Sequence, residues 1–139
     1  MPHRKLAALS ILALTACQTE TAAKAPVRSG AEDFAMLCTP CHGASGTGNG
    51  ELAAELTQRP ADLTGLAARN GGVFPTGPVL AQIWGYAEGT TGDVAGRVMP
   101  DFGALLDSEM VLFDAGDGIS TPTPSRLVEL ALYLKGLQG

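Results

Sequence analysis

Apolar residues along this chain fall into short runs separated by glycine- and proline-rich gaps. Where the runs have a period, it is the helical one. The last run is the clearest, because Leu127, Leu130, Ala131, Leu134 and Leu137 recur at spacings of three and four, which puts them on one helical face. Thr123 is placed to cap that helix, and Pro124 suits its first position. Residues 31–41 carry the same signature: Phe34, Leu37, Cys38 and Cys41 share a face, while Glu32 and Asp33 in the first turn complement the helix dipole. Between these two, the pattern predicts a short helix over 51–57 closed by Arg59-Pro60, and a capped turn from Asp62 to Leu66. It predicts a further helix over 78–86 with Val79, Ile83 and Tyr86 inward. Gly71-Gly72 and Pro75 interrupt the chain, and a Gly/Thr/Asp loop leads to Arg97-Val98-Met99-Pro100. A short helical segment over 107–113 and a turn-rich excursion over 114–121 follow. No stretch alternates with period two, so the expected fold class is all-α, with short helices and long loops.

The N-terminus has a different character. Arg4 and Lys5 precede an apolar stretch from Leu6 to Ala16 that is interrupted only by Ser10 and Thr15. A permanent bilayer span needs about 20 residues, so this is a processed export signal. Leu14-Thr15-Ala16-Cys17 resembles the lipobox of bacterial lipoproteins, which implies cleavage before Cys17 and lipidation of its thiol. The alternative is an ordinary signal peptide cut nearby, with Cys17 incidental. A free exposed thiol is a liability in an oxidising compartment, and that favours the lipid. The expected organisation is a signal peptide at 1–16, a lipidated cysteine and flexible tether at 17–30, and one domain at 31–139. A tether of thirteen residues reaches about 40 Å when extended.

Composition sharpens this reading. At 139 residues, with 45% hydrophobic and 17% charged, the chain suits one globular domain, yet only 5% is aromatic, and it carries 18 glycines and nine prolines. A large apolar cofactor would supply the core mass that the side chains lack. Arg4 and Lys5 are two of the nine basic residues, so removing 1–16 leaves seven against fourteen acidic ones, a net −7. Such a domain has no basic patch for nucleic acid and is steered toward partners with positive surfaces.

The chemistry concentrates in Cys38-Thr39-Pro40-Cys41-His42. Two thiols three positions apart on a helical turn project to one side, and each can add across a haem vinyl group. The histidine that follows becomes the proximal iron ligand. A thioredoxin-like pair would follow a strand in a βαβ context, which is absent. Zinc would find at most three ligands in this segment, and a plain disulfide leaves His42 without a role.

His3 lies in the signal segment, so His42 is the single histidine of the mature chain. One haem and no second imidazole follow, which leaves methionine as the protein's sixth ligand. Met36 lies on the attachment helix and cannot reach the opposite face of the ring. Met110 sits among Leu105, Leu106, Val111, Leu112 and Phe113, where core packing is the simpler account. Met99 stands in an irregular, glycine-rich stretch 57 residues after His42, with Pro100 stiffening the loop behind it. An open or water-bound sixth position is the alternative to Met99. The glycine-rich Gly46–Gly50 follows no strand and is no nucleotide loop. Asp114–Gly118 lacks EF-hand ligand spacing.

With these residues in place, 31–139 resembles a class I, mitochondrial-type bacterial cytochrome c. Phe34 four residues before Cys38, the Cys38–Gly43 motif, Met99-Pro100-Asp101-Phe102 and the final helix with Tyr133-Leu134 match that family in order and spacing. The resemblance implies first and last helices that cross, wrapped with the loops around one covalent haem c. It implies Cys38 and Cys41 as thioethers, with His42 and Met99 as iron ligands. A proline carbonyl that holds the proximal histidine is also implied, with Pro60 the nearest candidate unless it only ends a helix. Trp84, Tyr86, Arg59 and Arg97 are candidates to bond the haem propionates, with packing or a solvated surface role the favoured alternative for each.

The expected function is single-electron transfer rather than enzymatic catalysis, on the periplasmic side of the cell envelope. The partners would be redox proteins of the respiratory chain or periplasmic oxidoreductases, with a membrane reached through lipidated Cys17. The alternatives are a ligand-binding or sensor haem protein with a displaceable sixth ligand, and a fixed cytochrome subunit of a larger dehydrogenase or oxidase.

Overall fold

The computed structural model describes residues 27–86 and 99–139. The expected signal segment at 1–16, Cys17 and Arg97 lie outside the described residues. The first helical stretch runs unbroken from Gly30 to His42 but changes pitch twice. It consists of α1 (Gly30–Asp33), a π-helical turn over Phe34–Cys38, and α2 (Thr39–His42). It starts one residue ahead of Ala31 because Ser29 caps it. The Ser29 hydroxyl accepts from the Glu32 N–H while the Glu32 carboxylate accepts from the Ser29 N–H, a reciprocal capping box.

A 3₁₀ turn at Glu51–Ala54 stands where a short helix was expected. Asp62 then caps its turn by accepting from the N–H and hydroxyl of Thr64. Next come α3 (Leu66–Arg69) and α4 (Thr76–Trp84). Ile83 of α4 is buried, but Tyr86 is 70% exposed and does not face inward, because α4 stops at Gly85, whose φ of 109° turns the chain away. A 3₁₀ turn spans Gly103–Leu105, and the last helix, α5, covers Ser125–Gly136.

The all-α expectation is overturned by a hairpin. β1 (Met110–Asp114) pairs antiparallel with β2 (Ser120–Pro124), in register from Met110 opposite Pro124 to Asp114 opposite Ser120. The fold is therefore mixed α/β. The helical segment expected over 107–113 is mostly strand β1, and the 114–121 excursion holds the end of β1, the hairpin's turn and the start of β2. Met110 to Phe113 are uniformly apolar, so β1 shows no alternation. The prolines of β2 argue against a strand except on an outer edge, which is where they lie. Thr123 belongs to β2 and gives its hydroxyl to the Thr121 carbonyl instead of capping α5. Pro124 takes the cap position itself.

The two ends of the domain pack on each other. Gly30 lies so close to α5 that a Cβ there would sit 2.0 Å from the Glu129 carbonyl oxygen. Phe34 is buried beside Tyr133, with ring centroids 5.2 Å apart. Leu127, Leu130, Ala131 and Leu134 of the expected α5 stripe are all buried. With Phe34, Cys38, Phe74, Ile83 and Leu106 they form the core. Among the described residues, no helix is long and apolar enough to cross a membrane.

Candidate functional site

The helical stretch from Gly30 to His42 delivers Cys38, Cys41 and His42. Docking of α1 on α5 fixes its first half, and a folded-back loop fixes its second. The Gly43 N–H closes α2 on the Thr39 carbonyl, and Gly43 then turns the chain at φ 77°. The Gly48 N–H donates to the His42 carbonyl (2.8 Å) and the Gly50 N–H to the Cys41 carbonyl (3.1 Å). Only glycine fits this approach, since a Cβ on Gly50 would lie 2.3 Å from the Pro40 carbonyl oxygen. The loop over 43–50 is thus a backbone clamp on the turn that carries Cys41 and His42.

His42 is buried, and its Nδ1 lies 2.9 Å from the Ala61 carbonyl oxygen. A carbonyl only accepts, so Nδ1 carries a proton and donates it. Nε2 has no partner among the described residues. The orienting carbonyl belongs to Ala61 and not to Pro60. The Pro60 carbonyl is instead packed against Gly48, where a Cβ would meet it at 2.2 Å.

Cys38 and Cys41 are both free thiols, Cys38 buried and Cys41 half-buried. Burial pushes the Cys38 thiol up to about 12, and the charges of Asp33 and Cys41 add to this. Among the described residues no cluster of three or more His, Cys, Asp and Glu side chains could hold a metal ion.

Met99 is half-buried against the core cluster that contains Cys38, and the Gln82 amide nitrogen lies 3.7 Å from its sulfur. The segment after it is firmly held. The Phe102 N–H donates to the Ile83 carbonyl (3.0 Å), Gly103 sits against Trp84, and Leu106 is fully buried. Met36 is exposed beside Arg28, with its sulfur 3.4 Å from a guanidinium nitrogen. Met110 is exposed on β1 and not packed in the core, because the hairpin carries it outward. Trp84 is half-buried and stacks on exposed Tyr86 at a centroid distance of 6.2 Å, and Arg59 is exposed.

An ion pair beneath the site escaped the sequence reading. Asp33, fully buried, accepts two bonds from Arg126, from Nε at 3.0 Å and from a terminal nitrogen at 2.5 Å. The other terminal nitrogen of Arg126 donates to the Leu105 carbonyl (2.6 Å). The bonds to Asp33 raise the Arg126 pKa above its ordinary value, against the opposing effect of burial. A signal existed: Asp33 lies on the buried face of α1 with Gly30, and Arg126 precedes Leu130 and Leu134 by four and eight residues. Opposite charges on two apolar faces mark a pair.

These residues suit a covalently held haem. It needs two free thiols on one helical turn, a buried imidazole with an unengaged nitrogen, and a thioether on a separate segment. Comparison with protein-family models, with curated proteins and with solved structures returns no match for this chain.

Proposed function

We propose that this chain is a monohaem c-type cytochrome that carries single electrons. Cys38 and Cys41 would hold the ring as thioethers, His42 would be the proximal iron ligand and Met99 the distal one. The observation that carries the reading is the buried His42 imidazole, tied at Nδ1 by Ala61 and, among the described residues, left unengaged at Nε2. A buried polar atom without a partner is costly, and a ligand bond to iron would satisfy it. Fixing the tautomer through the other nitrogen is how proteins orient metal-bound histidines. Two free thiols on the same stretch support covalent attachment over a disulfide.

Bound haem supplies reversible one-electron exchange at iron, and the chain supplies the rest. The 43–50 clamp and the Ala61 carbonyl hold His42 in one orientation, as an iron ligand that must serve both oxidation states would require. The held segment after Met99 does the same for the thioether, and small rearrangement on electron exchange favours a carrier. The export signal and lipidated Cys17 belong to the same proposal. They put the domain on the periplasmic side of the envelope, tethered to a membrane and exchanging electrons with respiratory-chain or periplasmic redox proteins.

Mass spectrometry and ferric optical spectra of the mature protein test this. Covalent haem should appear on the peptide with Cys38 and Cys41, and a methionine–iron charge-transfer band should vanish in Met99→Ala. High-spin ferric iron in the native protein would sink the carrier reading in favour of a ligand-binding haem protein. A peptide without haem after expression with the attachment machinery would sink the site itself.

A further inference from the structure

The carbonyl that orients His42 sits in irregular chain. Residues 61–65 form no helix or strand, so no ladder of backbone bonds fixes the Ala61 carbonyl where the imidazole needs it. The anchors come from outside the segment, and two of them meet at Leu63. Its N–H donates to the Gly46 carbonyl of the 43–50 clamp (2.7 Å). Its carbonyl accepts from the Gln138 amide nitrogen (2.8 Å), on a side chain 75 residues further along the sequence. Arg69 also reaches the segment, donating to the Asp62 carbonyl, but from the exposed surface, where water competes for the bond.

Gln138 commits its whole amide to backbone. The same nitrogen donates to the Leu134 carbonyl (2.7 Å), and the amide oxygen accepts from the Ala67 N–H (2.9 Å). Oxygen and nitrogen are not interchangeable here, because the reverse orientation would set an acceptor against two carbonyl oxygens and a donor against an N–H. Leu134 lies in the last turn of α5 and Ala67 in α3. One half-buried side chain therefore ties the end of α5 to the Ala61 loop and to the helix that follows it. Packing converges on the same place. A Cβ on Gly46 would lie 3.5 Å from a Leu137 methyl group and 3.6 Å from the Leu63 Cβ.

We infer that Gln138 is a positioning residue for His42. By bonding the Leu63 carbonyl it holds the Ala61 carbonyl, two residues earlier, within reach of Nδ1. The consequence at iron rests on the reading of His42 as the proximal ligand, since donation through Nδ1 makes Nε2 a stronger base. The positioning itself does not rest on it.

The test is hydrogen exchange by NMR on the full mature protein, isotope-labelled and reduced. Gln138→Met keeps the length of the side chain and removes its donor and its acceptor. The His42 Nδ1 proton and the Leu63 N–H should exchange about tenfold faster, as expected for losing modest hydrogen bonds. The amides of Leu130 and Ala131, in the buried face of α5, should keep their rates. Gln138→Glu retains an acceptor for Ala67 but has no N–H for Leu63, and at neutral pH it should release the Nδ1 proton as the methionine variant does. Leu127→Ala, at the start of α5, is the control for general loosening and should speed the Leu130 and Ala131 amides more than the His42 proton. In the haem-bearing protein Gln138→Met should also raise the midpoint potential, because a weaker Nε2 base stabilises ferric iron less. An unchanged Nδ1 rate in Gln138→Met would overturn the inference. So would an equal acceleration of the core amides, which would make Gln138 a support of the whole domain, or a wild-type rate in Gln138→Glu. Mass spectrometry of each sample reports haem attachment separately. A sample without haem sinks the cytochrome reading, and the exchange comparison is then read on that sample unchanged.

Discussion

The Arg126 guanidinium ties α5 to two other parts of the molecule at once: the Asp33 carboxylate on the first helix and the Leu105 carbonyl. Its truncation leaves a fully buried carboxylate unpaired. Arg126→Ala should therefore cost about 3–5 kcal/mol, read from urea midpoints. Replacing Asp33 and Arg126 together by apolar residues of similar volume should recover most of that loss. Asp114 gives a residue-level pH prediction. The N–H groups of Gly116 and Gly118 hold its carboxyl below the usual aspartate range. The turn's bonds are thus present at neutral pH and are lost as pH falls through the lowered native pKa. Amide shifts of Gly116 and Gly118 should titrate with a midpoint below about 3.9, the ordinary aspartate value. At this scale the candidate residues Cys38, Cys41 and His42 declare themselves by spacing, and the structure keeps them on one helical stretch. The Ala61 carbonyl could not be read, since a backbone acceptor leaves no side-chain signature, and Pro60 next to it drew the expectation by one position.

At the scale of elements, helices with one apolar stripe were readable and the hairpin was not. Leu127, Leu130, Ala131 and Leu134 repeat at the helical period because α5 buries a single face. Met110 to Phe113 repeat at no period because β1 is exposed on both faces, so burial imposes no alternation on it. Pitch changes were equally hidden. The π-helical turn over Phe34–Cys38 inserts one residue between the face that docks on α5 and the face that presents the thiols, and such turns recur at functional sites. The docking face has its own critical residue. Gly30→Ala would drive a methyl group into the Glu129 carbonyl, and overpacking of this kind costs about 1–3 kcal/mol. A lowered denaturant midpoint with an unchanged far-UV spectrum is the expected outcome. An unchanged midpoint would mean that the two helices part more readily than their close approach implies.

At the scale of the molecule, the first and last elements of the domain complete each other. Gly30 lies against Glu129, Phe34 against Tyr133, and Asp33 against Arg126. A chain truncated after Pro124 should lack a cooperative thermal transition, because Phe34 and Asp33 lose their partners together. The same closure sets a schedule. At about 5–20 residues per second of synthesis, the first helix waits roughly 5–20 s for α5 to emerge. Until then Gly30, Phe34 and Asp33 have nothing to pack on, and Cys38, on the same helical stretch, has no core to be buried in. The Cys38 thiol is therefore open to solvent during synthesis and closed off once α5 docks, so any chemistry at that sulfur is easier before the domain closes than after.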